Sequence, residues 1–210
     1  MNITIFYSSK QHPIFPYLLK WHNNNSNKHK ISLINNISEI KNGDILFLIA
    51  SSEIIKVAIL KKFKKVLCVH ESDLPKGRGW SPSVHLILNG EKEIPICLFE
   101  ATEKVDSGDI WKKDFIKIEM HELANEINQK ISKKTIELIE FAIDNFNSIT
   151  TIPQSGEPSY FSKRTPEDSE IDLNKTIKEQ INLLRIADQN RYPCFFNYEG
   201  NRYKISISKF

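Results

Sequence analysis

The sequence predicts an α/β fold with a doubly wound sheet. Three observations carry that reading. Short strand-like runs alternate with helical segments through the first two thirds of the chain. The run Asp44-Ile45-Leu46-Phe47-Leu48-Ile49-Ala50 is almost continuously apolar behind Asn42-Gly43, as a central parallel strand buried on both faces must be. A second such run, Lys65-Val66-Leu67-Cys68-Val69-His70, ends in a histidine.

In chain order, residues 3–7 read as a buried first strand and residues 14–21 have helical spacing. The asparagine-rich stretch 23–27 is a polar break, and residues 30–34 form a second short strand. Strand 44–50 follows, then a basic amphipathic helix over 54–63 and strand 65–70. Ser81-Pro82 has the form of an N-cap followed by proline in the first helical turn. That helix runs to about residue 88, where Asn89-Gly90 ends it. Residues 95–99 are another strand, 114–120 alternate as an edge strand, and 123–146 are largely helical. The composition shifts at 149–159, which holds Pro153, Gly156 and Pro158. We place a division there, with a core of residues 1–155 and an extension of residues 156–210. The extension reads as a polar loop, a helix over 175–186, and a hairpin whose strands 194–198 and 203–208 pair across Glu199-Gly200-Asn201. Its aromatic residues must pack on the chain's own core or on a second copy, since an isolated hairpin is not stable in water. A homodimer is the expectation.

The 210 residues suffice for one sizeable core and a small appendage. A net charge of +3, from 29 basic and 26 acidic residues, gives little support for a nucleic-acid platform, which needs a concentrated basic face, and leaves room for a local patch. Cys68, Cys97 and Cys194 are widely spaced, which suggests neither a zinc ribbon nor a disulfide framework and points to a reducing, cytoplasmic setting. The N-terminus lacks the features of a signal peptide, and no apolar run approaches the roughly 20 residues of a membrane span. No metal, membrane or nucleic-acid partner is expected. There is no G-x-G-x-x-G after the first strand, no phosphate-loop lysine motif and no G-x-S-x-G elbow.

Two segments remain. The first is His70-Glu71-Ser72-Asp73-Leu74-Pro75-Lys76-Gly77-Arg78-Gly79-Trp80-Ser81-Pro82. The second is Val105-Asp106-Ser107-Gly108-Asp109. Ligands of doubly wound sheets bind outside the carboxyl ends of the strands. That rule puts His70 and its loop in the crevice, with the loops after the first and third strands. A histidine facing an acid from another loop makes a proton-handling pair.

These residues resemble a family. His-x-Ser-x-Leu-Pro at 70–75, then a helix, a strand and the Asp-x-Gly-Asp loop at 106–109, is similar to the folate-dependent formyltransferases. The segment Arg164-Thr165-Pro166-Glu167-Asp168-Ser169 resembles a segment of the sugar N-formyltransferases. The 70–82 run and residues 185–196 resemble those of nonulosonic (pseudaminic-type) acid pathways. The resemblance implies a Rossmann-like doubly wound sheet of the formyltransferase type, with a short C-terminal helix-plus-hairpin extension. It implies 10-formyltetrahydrofolate as cosubstrate and direct acyl transfer to an amine. His70 would stabilise the developing oxyanion and assist proton movement, and Asp106 would orient it. Cys68 stands where the family has an asparagine, whose amide would bind the oxyanion; a thiol is a poor donor.

By the same resemblance, the pteridine would lie against Ser52, Glu53, Ile54 and Ile55 and against Thr102, Glu103, Lys104 and Val105, with Leu74 and Pro75 as a further wall. His12, Lys76, Arg78, Trp80, Tyr160, Lys163 and Arg164 are the candidate acceptor contacts. Aromatic and forked cationic groups suit a base and a diphosphate. The implied acceptor is a nucleotide-linked amino-deoxy sugar, such as a UDP-linked 4-amino-4,6-dideoxy sugar. Three alternatives stay open: an enzyme like methionyl-tRNA formyltransferase, a formyltetrahydrofolate hydrolase, and a degenerate fold kept as a binding module.

Overall fold

The structure is a computed structural model that describes residues 1–210. Its centre is a six-stranded sheet in the order β2-β1-β3-β4-β6-β7. The strands β1 (Asn2–Tyr7), β2 (Lys30–Ile34), β3 (Gly43–Ile49) and β4 (Phe63–His70) are parallel. β6 (Glu93–Glu100) pairs antiparallel with both β4 and β7 (Ile110–Lys117). The doubly wound parallel arrangement therefore holds as far as β4 and then gives way to an antiparallel edge.

The continuous apolar run of β3 is explained by burial on both faces. Ile45, Phe47 and Ile49 join the large core cluster with Ile3, Ile5 and Leu67, under helices α1 (Phe15–Asn25) and α4 (Ala124–Asp144). Leu46 and Leu48 point the other way, to Phe6, Ile55, Phe63 and Val66. Side chains of a strand alternate faces, so a strand covered on both sides has no polar position to spare. Each such side chain, fully buried, contributes on the order of 1.5–3 kcal/mol.

Several expected boundaries move. Helix α1 continues through the asparagine cluster to Asn25, because the Asn25 amide turns back to the Trp21 carbonyl at 3.0 Å. The helix expected over 54–63 shrinks to the single turn α2 (Val57–Leu60). Phe63 is drawn into the sheet instead, where it pairs with Gly43 and is 8% exposed. A β-carbon at Gly43 would sit 2.9 Å from the Phe63 ring, so the glycine makes room for it. The strand expected over 95–99 extends at both ends to form β6. Pro95 lies beyond Cys97, the last β6 residue paired to β4, so its missing N–H costs no bond on that side. The edge strand β7 starts at Ile110, four residues before the expected position, directly after the Asp-x-Gly-Asp loop.

Helix α3 (Pro82–Leu88) has proline in its first turn as expected, but Ser81 does not cap it. Its backbone is left-handed, φ 45°, and its side chain makes no capping bond. The helix expected over 175–186 is only α5 (Ile181–Ile186). The Gln180 side chain bonds the Asp172 N–H at 2.7 Å and the Asp172 carbonyl at 3.0 Å, which holds the preceding residues in turns. The hairpin strands are β9 (Cys194–Tyr198) and β10 (Asn201–Ile205). Tyr198 pairs directly with Asn201, so the turn is the two residues Glu199-Gly200, not three. Both have positive φ, 47° and 75°, as a tight hairpin turn of matching twist requires. Cys194 packs against Ile171 and Leu184, which seats the hairpin on its own extension.

One element had no counterpart in the sequence reading. β5 (Arg78–Gly79) and β8 (Tyr160–Phe161) form a two-residue parallel ladder. It joins the loop after β4 to the extension.

Candidate active site

β4 delivers His70 at its end, 8% exposed, with Cys68 two residues earlier on the same face. The loop from β6 to β7 leaves the sheet beside Val66, where the Ala101 N–H donates to the Val66 carbonyl at 2.8 Å. It then folds back sharply. Gly108 passes so close to the Glu100 carbonyl that a β-carbon there would sit 1.8 Å from the oxygen, and the Glu100 N–H donates to the Asp109 carbonyl at 2.9 Å. This return is what the glycine of Asp-x-Gly-Asp permits, and it brings Asp106 to His70.

His70 Nε2 lies 3.6 Å from Asp106 Oδ2 and 2.9 Å from the Gly77 carbonyl oxygen. A carbonyl only accepts, so Nε2 carries the proton in this arrangement. Asp106 Oδ2 accepts the Gly79 N–H at 2.8 Å. The histidine and the acid are thus both tied to the loop 77–79, and both stand at a partly open site. Asp106 itself has φ 50°, a left-handed backbone that is unusual outside glycine. Burial pushes the Cys68 thiol well above its ordinary range, with the Asp106 charge adding to the effect, so Cys68 stays a neutral thiol.

The loops expected to hold a heterocycle behave unequally. Ser8 Oγ accepts the Ser52 N–H at 2.8 Å, which binds the loops after β1 and β3 together. Ser52 and Glu53 are exposed. Ile54 is 72% exposed and Val105 48%, while Ile55 is buried in the core beside Ala101. Thr102, Glu103 and Lys104 are exposed on the second loop, and Thr102 Oγ1 donates to the Lys104 carbonyl at 3.0 Å. Leu74 is 0% exposed and packs with Cys97, Phe99 and Ile110. Pro75 is buried too. In this structure both lie beneath the loop, and the Leu74 side chain has no surface to offer a ligand. Ile54 and Val105 are thus the exposed apolar side chains of these two loops, and the backbone beside them is partly engaged, with Glu53 bonded by Ser51 and the Lys104 carbonyl by Thr102 and Ser107.

The candidate acceptor residues also divide. Trp80, Tyr160 and Lys163 are exposed, and the Lys163 ammonium lies 4.8 Å from the Trp80 ring centre. Lys76 is exposed on the same loop. Arg78 is engaged: Nη2 donates to Gln154 Oε1 at 2.7 Å and Nη1 to the Tyr160 hydroxyl at 3.4 Å. Arg164 donates to the Asp168 carbonyl at 2.7 Å and so closes its own segment's turn. His12 lines a small, partly open cavity of about 20 Å³ with Ala50, Glu71, Asn128, Ser132 and Thr135. Its Nδ1 accepts the Ile14 N–H at 3.2 Å. Burial and then the Arg191 charge lower the His12 pKa to about 4. Burial raises the pKa of Glu71.

Sequence reasoning missed Gln154, Ser159 and Glu71. Ser159 Oγ accepts the Gly77 N–H at 2.9 Å and its carbonyl accepts the Arg78 N–H at 2.9 Å. All three sit inside motif or linker stretches whose signal came from neighbouring residues. No group of three or more His, Cys, Asp or Glu side chains converges as a metal site, and no helix is long and apolar enough to cross a membrane.

Comparison with known proteins places this geometry in context. Residues 3–143 match a family described as formyl transferase. Methionyl-tRNA formyltransferase of Rickettsia felis is 31% identical over 183 residues, which is 85% of this chain and 58% of that protein. The chain thus spans less than two thirds of such a relative. A solved methionyl-tRNA formyltransferase from Clostridium thermocellum superposes with a TM-score of 0.87 at 26% identity, covering 100% of this chain and 93% of that one. A 4-N formyltransferase from Francisella tularensis shares the fold with a TM-score of 0.74 at 22% identity, covering 100% and 98%.

Proposed function

Because this chain belongs to the formyl transferase family, we propose that it moves a formyl group from 10-formyltetrahydrofolate to the amino group of a nucleotide-linked amino-deoxy sugar. The observation that carries the acceptor class is the β5/β8 ladder. It sets Tyr160 and Lys163, with Trp80, beside the loop that holds His70 and Asp106. Exposed aromatic faces next to a cation suit a nucleotide base and its diphosphate. In this reading residues 1–155 supply the chemistry and residues 156–210 the acceptor's handle.

Bound formyltetrahydrofolate supplies an activated one-carbon unit. The chain's own residues do the rest. Ile54 and Val105 exclude water from one side. His70 gives its Nε2–H to the Gly77 carbonyl, so Nδ1 is the nitrogen left to take the proton that the attacking amine must lose, and Asp106 steadies the resulting imidazolium from 3.6 Å. The Gly79 N–H keeps the carboxylate in place. The homodimer belongs to the same proposal, since Tyr198 and Tyr203 remain 56% and 44% exposed on the hairpin. A cytoplasmic setting goes with it.

The sequence relatives named for methionyl-tRNA favour a second acceptor. One experiment separates the readings. Purified protein is incubated with 10-formyltetrahydrofolate, and tetrahydrofolate release is followed with amino-sugar nucleotides, with methionyl-tRNA, and with no acceptor. Release that depends on the sugar nucleotide supports the proposal. Release only with the tRNA, release without any acceptor, or no release at all each overturns it.

A further inference from the structure

We propose that Gln154 is a positioning residue for the pair of His70 and Asp106. It sits in the linker after α4, half-buried, in a stretch that otherwise reads as a boundary. Its amide nitrogen donates to the Asp106 carbonyl at 3.0 Å and to the Gly108 carbonyl at 2.8 Å. Its amide oxygen accepts from Arg78 Nη2 at 2.7 Å. Both amide hydrogens and the oxygen are thus used. The orientation is unambiguous, because a flipped amide would face two carbonyls with an oxygen and a guanidinium with an NH₂.

These three bonds join the two loops that carry the chemistry. Asp106 has a left-handed backbone at φ 50°, a conformation that persists only where the surroundings impose it. Gln154 grips that residue's own carbonyl and the carbonyl two residues on. Through Arg78 it also grips the neighbour of Gly79, whose N–H holds the Asp106 carboxylate. The linker is itself anchored: Ile152 and Ile110 exchange two backbone bonds of 2.8 Å each, two residues before Gln154. A rigid mount, three satisfied bonds and a strained client are what a positioning group needs.

The kinetic part of this inference rests on the formyl-transfer reading; the structural part does not. The test therefore has two arms, applied to Gln154→Met, Gln154→Glu, Asp106→Asn and the double variant Gln154→Met/Asp106→Asn. Amide exchange at Gly79, measured by NMR without substrate, should quicken by about tenfold or more in both Gln154 variants, while β1 and β3 amides keep their protection. Gln154→Glu keeps an acceptor for Arg78 but has no donor for the two carbonyls, so it tests the donor bonds. In turnover, kcat should fall about 10- to 100-fold with KM within about twofold. In the Asp106→Asn background, Gln154→Met should cost little more, since both act on one group. Unchanged Gly79 exchange in either variant overturns the proposal. So do losses that multiply in the double variant, which would mark a general structural role. If the wild-type protein turns over no acceptor, the formyl-transfer reading fails, and the Gly79 exchange still decides the role of Gln154.

Discussion

His70 and Asp106 face each other at 3.6 Å, yet neither makes its best hydrogen bond to the other. The ring donates to the Gly77 carbonyl at 2.9 Å, and the carboxylate accepts from the Gly79 N–H at 2.8 Å. One short loop holds both groups in register and leaves their mutual contact loose. The Nε2–H of His70 is thereby committed to the loop, and the other ring nitrogen, Nδ1, is left as an acceptor for a third participant.

Replacing either group should disable the chemistry and spare the fold. His70→Asn and Asp106→Asn are each expected to lower kcat by about 10²- to 10⁴-fold, the usual worth of a positioned acid or base. Tetrahydrofolate release measures the first effect, and thermal unfolding should show a Tm close to that of the wild type. Near wild-type turnover in a folded variant of either residue refutes the assignment.

Acid should destabilise the protein through His12. Its folded pKa is about 4 against an ordinary 6.5. Between those values the unfolded chain takes up a proton that the folded one refuses, so stability is full above about pH 6.5 and declines as pH falls through 4. At pH 5 the loss from this residue is about 2 kcal/mol. Urea unfolding at pH 7 and pH 5 should show that difference in the wild type and much less of it in His12→Gln.

Gly108→Ala should be among the most damaging single substitutions in the chain. The added carbon would meet the Glu100 carbonyl oxygen at 1.8 Å, a backbone atom that cannot swing aside. The loop must move, and Asp106 with it. A loss on the order of 3 kcal/mol in denaturant midpoint analysis is expected, together with loss of turnover. A fully active, equally stable variant would show that the loop returns by another route.

Arg185 should anchor the extension. It is 1% exposed, and Nη1 donates to the carbonyls of Glu119 and Glu122 at 3.0 and 3.3 Å, while Nε donates to Asn182. Burial lowers its pKa. Arg185→Met removes the charge but strands those carbonyls, at a cost of about 1–3 kcal/mol. Limited proteolysis should then cut the C-terminal segment sooner than the core.

Much of this was legible in the residues. The two-sided apolar runs of β1, β3 and β4 fixed the parallel half of the sheet, because burial on both faces leaves a strong trace. His70 at a strand end and the Asp-x-Gly-Asp spacing marked the site. What stayed hidden depended on distant partners. The contraction of the expected 54–63 helix follows from Phe63 finding room over Gly43. The inward turn of Leu74 follows from its packing against Phe99 and Ile110. Gln154 matters only because three groups from two other loops converge on it. No local pattern in the chain records such a meeting.

The β5/β8 ladder bears on how this scaffold is recombined. A chimaera joined at the composition break near residue 155 would exchange Ser159, Tyr160 and Phe161 for foreign residues. Ser159 supplies the carbonyl for the Arg78 N–H and the hydroxyl for the Gly77 N–H, and Phe161 the carbonyl for the Trp80 N–H. The transplant would carry away half of the clasp that sets His70 and Asp106. A junction after residue 162 leaves that clasp whole. Any exchange of the C-terminal segment that is to keep His70 and Asp106 in register must keep these two residues of sheet.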